Sequence, residues 1–257
     1  MSTQTRHSEF VQSLERGLSV IKVFSHERRS LTLSEIADLT GLTRAAARRF
    51  LITLKDLGYV DSDGRQFSLR PRVLELGYSY LASLPVWDVA KPFLEELADQ
   101  VRETTSASVL DGTEIVFVAR VEARRIMSMT LGVGSRLPAW ATAMGRVLLA
   151  GLPPPQLDEY FERVSMQPLT ERTVTDPRKL RKIIKEAGIQ GWTLVDQEVE
   201  EGVRSLAVPI KLPDGRVEAA LTVCSHAYRV SVERVMEEFL PLVRETSSRV
   251  TDEIARR

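Results

Sequence analysis

Residues Thr32 to Leu57, TLSEIADLTGLTRAAARRFLITLKDL, constrain the fold more tightly than any other stretch of the chain. Thr32 followed three residues later by Glu35 is a capping-box pattern, in which two side chains satisfy orphan amides at a helix start. It sets a first helix from Leu33 to Thr40, and Gly41 stops it. Thr43 is a second start signal, after which Ala47, Phe50, Leu51, Leu54 and Leu57 recur at helical spacing and are expected to face a core. Arg44, Arg48 and Lys55 fall on the other side of that helix. No acidic residue stands between Asp38 and Asp56, which is the gap a helix facing phosphates needs. A helix, a glycine turn and a second helix with small and basic residues in its first turns make a helix-turn-helix, whose second helix enters the major groove. Thr43, Ala45 and Ala46 leave room for close approach, and Arg44, Arg48 and Arg49 can fork onto guanine edges or phosphates. A merely solvated basic face shares the pattern; the paired start signals and the turn favour the helix-turn-helix.

Flanking segments extend this to a winged helix. Ser13 opens a helix expected to turn Leu14, Leu18, Ile21 and Val23 or Phe24 inward. Beyond Gly58, YVDSDGRQFSL places strand-forming residues around Asp63-Gly64, a dipeptide suited to the φ > 0 turn of a hairpin. Arg65 at its tip can reach a phosphate or the minor groove, or simply stay in water. Charge supports this division only modestly: the chain balances 35 Lys and Arg against 35 Asp and Glu, while residues 1–70 hold 11 against 8. Affinity for a duplex therefore has to come from placement and from pairing of two chains. From Pro71 to Leu84 a further helix carries Val73, Leu74, Gly77, Tyr80, Leu81 and Leu84, too broad an apolar face for a free linker. It suits a connector and dimer contact, or a helix packed on its own domain. The expected domains are 10–70, 71–85 and 86–257.

The remainder mixes helices and antiparallel strands, an α+β pattern. Helices are expected over Trp87–Arg102, Thr142–Leu149, Leu157–Arg163, Asp176–Ala187 and Val232–Ile254. Hairpins are expected around Asp111-Gly112 and Pro213-Asp214-Gly215, with another strand in Ile126–Gly134. In the last hairpin strand Val217, Ala219, Leu221 and Val223 alternate with Glu218, Ala220, Thr222 and Cys224. The second set ends in small, weakly polar side chains, suited to a pocket floor or to a sheet face under a helix. Thr142, Ala143 and Met144 open a helix whose free amides and dipole favour a carboxylate, and Arg136 and Arg146 flank it as bidentate partners or surface ion pairs. Asp196, Glu198, Arg204 and Ser205 lie on a loop before the hairpin, as ligand contacts or solvated charges. Cys224 or Ser205 would be the nucleophile of a rival enzyme, with His226, on the same strand face as Cys224, as its base; no oxyanion or phosphate motif is visible. One cysteine excludes an internal disulfide, and three scattered histidines give no ligand spacing for a metal. With no cofactor motif and no apolar run long enough for a bilayer, a cytoplasmic setting away from membranes is expected.

The segments SLERGLSVIKVF, LTLSEIADLTGLTRAAARRFLITLKDLGYV, RLPAWATAMGRVLLA, GWTLVDQEVEEGVRSLAVPI and DGRVEAALTV resemble the IclR family of bacterial transcriptional regulators over nearly the full chain. TRAAARRFL with SDGR, RLPAWATAMGRVLLAGLP and LVDQEVEEGVRS further resemble its Pca and Pob subgroup, which controls protocatechuate and 4-hydroxybenzoate catabolism. The resemblance implies a winged helix, a connector helix and a GAF-like effector domain. It also implies double-stranded operator DNA as partner, homodimers through the DNA-binding half and dimers of dimers through the effector half. By position, the ligand-contacting loop of the family matches Ala143 and Met144, and later acid-contacting residues match Asp196, Ser205, Thr222 and Cys224. Where some members place further cysteines, this chain has Ser205 and keeps Cys224, which fits a small aromatic or dicarboxylic acid effector.

Overall fold

In the computed structural model, which describes residues 9–25, 27–83, 85–122 and 131–256, the capping residues do what their chemistry dictates. The chain forms two units, Met1–Tyr80 and Leu81–Arg257. The first holds helices α1 (Gln12–Lys22), α2 (Leu33–Thr40) and α3 (Arg44–Asp56) and strands β1 (Ser30–Thr32), β2 (Val60–Ser62) and β3 (Gln66–Leu69), the strands ordered β1-β3-β2. The Thr32 amide donates to Glu35 Oε2 at 2.7 Å and the Glu35 amide to Thr32 Oγ1 at 3.4 Å, closing the capping box of α2. Gly41, at φ 67°, ends the helix in the left-handed conformation that a side chain would oppose. Thr43 Oγ1 then accepts the Ala46 amide at 3.2 Å and starts α3. In the hairpin turn Asp63 Oδ1 accepts the Arg65 and Gln66 amides at 2.8 and 2.7 Å, and Gly64 sits at φ 95°.

Two expectations for this unit fail. Helix α1 is capped by no side chain, starting at Gln12 rather than after Ser13, and it buries Val20 while Leu14 and Leu18 stand 63% and 42% exposed. Its inward line passes through Gly17, which lies beside the Phe50 ring. Leu57 is 51% exposed because α3 ends at Asp56, so the core of that helix is Ala47, Leu51 and Leu54. Strand β1 was not foreseen; it is three residues long and takes its identity from pairing with β3.

After a 3₁₀ turn at Pro71–Val73, α4 (Leu74–Ser83) carries the division between the units, inside the segment expected as the connector. The second unit then contains α5 (Pro85–Val101), β4 (Thr104–Asp111), β5 (Glu114–Val121), β6 (Arg136–Pro138), α6 (Ala143–Ala150), α7 (Pro154–Arg163), α8 (Pro177–Gln190), β7 (Thr193–Asp196), β8 (Val203–Lys211), β9 (Val217–His226), α9 (Val232–Arg234) and α10 (Leu240–Arg256). Pro85, the last residue of the expected connector segment, instead opens α5. Six antiparallel strands form one sheet in the order β6-β5-β4-β9-β8-β7. One face carries Leu206, Val208, Leu221 and Val223 into a core with Leu94 and Leu97 of α5 and Val243 and Val250 of α10. The other carries Phe117, Val195, Ala207 and Ala220 into a core with Val147 and Leu148 of α6 and Leu180 and Ile184 of α8. A sheet with both faces covered by helices is the expected α+β, GAF-like arrangement.

Departures in this unit have local causes. Of the strand expected at Ile126–Gly134, residues 126–130 lie outside the described residues, and the described remainder is a turn in which the Ser135 amide donates to Gly132 O. Asp196, Arg204 and Ser205, expected on a loop, lie in strands: Asp196 ends β7, which pairs with Arg204 and Ser205 of β8. Val217 leaves the face of Ala219 and Leu221: Ile210 pairs with Ala219 but Lys211 with Val217, and this bulge turns Val217 toward Gly151. The closing helix is interrupted by a π-turn at Val235–Phe239, just ahead of Pro241, whose missing N–H breaks the regular ladder.

Candidate nucleic-acid interface and ligand cavity

Helix α3 presents Thr43, Arg44, Ala45, Arg48, Arg49 and Lys55 to solvent, while Ala47, Leu51 and Leu54 hold the helix to its core. None of Arg44, Arg48, Arg49 and Lys55 lies within salt-bridge distance of a carboxylate among the described residues. Their positive charge is therefore available to an outside anion. Arg65, at the tip of the β2–β3 hairpin, is likewise exposed. A row of exposed arginines on the second helix of a capped helix-turn-helix, beside a hairpin with a basic tip, can grip phosphates and reach base edges.

In the second unit a cavity lies between α6 and the sheet. Its lining includes Ser106, Phe117, Arg120, Thr142, Ala143, Met144, Val195, Val199, Val203, Ser205, Thr222 and Cys224, and it encloses about 570 Å³ counting its opening to solvent. Thr142 Oγ1 accepts the Gly145 amide at 3.0 Å, which leaves the Ala143 and Met144 amides at the positive end of α6. Gly145 lets that end approach the preceding turn: a Cβ there would lie 2.0 Å from the Ala139 carbonyl oxygen. On the sheet side, Thr222 donates to Leu206 O at 2.6 Å and keeps its lone pairs, and Ser205 Oγ lies 3.4 Å from Cys224 Sγ.

Two family models match the chain: the IclR helix-turn-helix domain over residues 13–64 and the bacterial transcriptional regulator IclR C-terminal domain over residues 78–252. The chain belongs to the IclR family. Among curated IclR-family relatives, it is 44% identical to the Pca regulon regulatory protein of Pseudomonas putida, over 93% of this chain and 82% of that one. It is also similar to a solved structure of a transcriptional regulator from Rhodococcus sp. RHA1 at 48% identity and a TM-score of 0.86, covering 95% of this chain and 98% of that one. A further solved structure, an IclR homolog complexed with 4-hydroxybenzoate from Microbacterium hydrocarbonoxydans, is 26% identical with a TM-score of 0.84 over 94% of this chain and 98% of that one.

In this IclR-family chain the structure brings together Ala143, Met144, Ser205, Thr222 and Cys224 around the cavity, and leaves out Arg136 and Asp196. The Arg136 guanidinium instead donates to Asp111 and Glu114 carboxylates, each at 2.7 Å, on the exposed edge of the sheet. Asp196 accepts Arg204 Nε at 2.9 Å and Arg172 at 3.4 Å. Arg146, weighed as a ligand contact or surface pair, is neither. It is 1% exposed and donates both terminal nitrogens to Glu198 at 2.7 and 2.6 Å, and Nε to Trp140 O. Glu198 also accepts the Val174 amide at 2.9 Å, and the Thr170 and Thr173 hydroxyls donate to the Gln197 and Glu198 carbonyls. This buried network pins the loop that carries Val199 over the cavity. The rival nucleophile fares poorly: burial pushes the Cys224 thiol up, and His226 Nδ1 accepts the Tyr228 amide at 3.3 Å.

Arg120, Ser106 and Phe117 were not foreseen in the lining. The strand EIVFVARV alternates so as to put Arg120 and Phe117 on opposite faces. A bulge undoes this: Ala107 pairs with Ala119 but Ser108 with Phe117, so Val118 is the extra residue and Arg120 joins Phe117 on the cavity face. Only a lone Arg within the apolar run Ile115–Val121 hinted at it.

Proposed function

We propose that this chain is a ligand-responsive, DNA-binding regulator of aromatic-acid catabolism, of the protocatechuate or β-ketoadipate type. The carrying observation is the cavity under α6, with apolar walls of Phe117, Val195 and Val199 and polar positions at Ser205, Thr222 and the Ala143 and Met144 amides. Such a site suits a small organic acid with oxygen functions at its ends. The names of the relatives agree, one governing the Pca regulon and one holding 4-hydroxybenzoate. On the DNA side, Thr43, Arg44, Ala45, Arg48 and Arg49 read the operator, with Lys55 and Arg65 on the backbone.

The protein acts as a homodimer through α4, on which Leu74, Leu76, Tyr78 and Tyr80 are each at least half exposed. Two reading helices are thereby offered to a pseudo-palindromic site, and effector halves pair dimers into tetramers. Its working place is the cytoplasm, where the operator lies; no helix among the described residues is long and apolar enough to cross a membrane. Ligand and operator affinities are coupled by one factor, so DNA alters effector binding as much as effector alters DNA binding. The test is a gel-shift series on the upstream regions of aromatic-catabolic genes, with and without 4-hydroxybenzoate, protocatechuate and their ring-cleavage acids. A sequence-specific shift that one acid changes is expected. No specific shift with any region ends the proposal.

A further inference from the structure

Arg120 is the one charged residue among the described lining of the cavity, and no Asp or Glu lines it. Its side chain is only 9% exposed. Among the described residues it makes two hydrogen bonds, both long: Nη1 donates to Ser106 Oγ at 3.3 Å and Nε to Glu122 Oε1 at 3.4 Å, the latter on a carboxylate 65% exposed to water. The guanidinium also stands 5.7 Å from the Phe117 ring centre. Arg146, buried in the same unit, shows what saturation looks like: two contacts at 2.6 and 2.7 Å to a buried carboxylate. A guanidinium has five N–H donors, and a cation withdrawn from water is costly until an anion meets it. The bulge at Val118 turns this cation toward the cavity, next to Ser106 and in one cross-strand row with Thr222.

We infer that Arg120 takes the effector's carboxylate, and that the pocket is thereby selective for acids over uncharged or cationic molecules of the same shape. The amides of Ala143 and Met144 and the Ser205 and Thr222 hydroxyls are then left for a second oxygen function, a ring hydroxyl or another carboxylate. This rests on the sensor function proposed above and adds the chemistry by which the site recognises its ligand. Glu122, exposed and loosely held, gives up its contact to the incoming acid.

The experiment is calorimetric titration of the full-length protein with 4-hydroxybenzoate, protocatechuate, a six-carbon dicarboxylate and the uncharged 4-hydroxybenzamide, on wild type, Arg120→Met and Arg120→Lys. Wild type is expected to bind at least one acid about thirtyfold or more tightly than 4-hydroxybenzamide, the size expected of a desolvated charge-assisted pair. Arg120→Met should lose that preference by weakening the acid while leaving the amide within about threefold. Arg120→Lys, which keeps the charge without the planar fork, should fall between them and still prefer the acid. Unchanged operator retardation and melting show that the variants fold. If Arg120→Met does not fold, the wild-type comparison of acid with amide and the Lys variant decide. Equal binding of acid and amide by wild type, or undiminished acid binding by a folded Arg120→Met, overturns the inference and leaves the sensor function standing. Binding of none of the four compounds to wild type overturns both.

Discussion

Arginines in the two units do opposite work. On α3, Arg44, Arg48 and Arg49 stand in water with no carboxylate partner among the described residues, and the helix beneath them is held by Ala47, Leu51 and Leu54. Beneath the loop over the cavity, Arg146 is 1% exposed and its charge is consumed by Glu198. The first set is available to a partner and contributes little to folding; the second contributes to folding and offers nothing to a partner. Arg120 stands between, buried like Arg146 yet, among the described residues, held only by two long contacts to Ser106 and Glu122. Burial and partner count, not residue type, separate structural from functional charge here.

The largest effect should come from Arg146→Met. It strands a buried carboxylate at Glu198, so urea unfolding of the second unit should report a loss of about 3–5 kcal/mol. A loss below about 1 kcal/mol would mean that this buried pair behaves like a surface one and would erase the contrast. Next is Gly145→Ala, whose new Cβ collides with the Ala139 carbonyl. Chemical denaturation should show a loss of roughly 1–3 kcal/mol, with weaker acid binding because the α6 amides move. Arg48→Ala should leave stability within about 0.5 kcal/mol while lowering operator affinity by about tenfold and flattening its salt dependence. Destabilisation without loss of DNA binding would put Arg48 in the same class as Arg146.

Smaller still is Thr32→Ala, which removes the α2 cap at a cost of about 1 kcal/mol, read from the melting of the winged helix. The same box has a pH signature. The Thr32 amide, and after it the Thr32 hydroxyl, hold Glu35 below the usual carboxylate range. A depressed folded-state value means that the stabilisation is complete above the unfolded carboxylate's titration and is lost as pH falls through the folded one. The acid side of the stability curve should therefore be shallower in Thr32→Ala than in wild type. Least affected should be Arg136→Ala, which breaks exposed pairs to Asp111 and Glu114: about 1 kcal/mol or less, and no change in acid affinity. A large loss of ligand binding there would return Arg136 to the site.

Local chemistry was sufficient for much of this protein. The Thr32–Glu35 box, Gly41, Thr43 and the Asp63-Gly64 turn each act within a few residues, so the helix-turn-helix, its exposed arginine face and the hairpin could be read directly. Ala143, Met144, Thr222 and Cys224 were legible for a related reason: helix starts and strand alternation are local rules, whereas Ser205, read on a loop, followed only from the family resemblance. Which of the charged residues belong to the cavity was not. Arg136 and Asp196 find carboxylate and guanidinium partners on other strands, Arg146 finds Glu198 across 52 residues, and no spacing rule encodes such pairings. Likewise the inward line of α1 is set by the Phe50 ring against Gly17, a contact between helices.

The sequence by itself determined where α2, α3, α6 and α8 begin, where α2 stops, which face of α3 carries the arginines and where the hairpins turn. Only the tertiary structure decided what the sheet faces contain, because an extra residue at Val118 and another at Glu218 invert the alternation beyond them. A bulge depends on how two strands match in register, an interaction between distant segments, and so Arg120 reaches the cavity through packing that neither its own strand nor its neighbours in sequence specify.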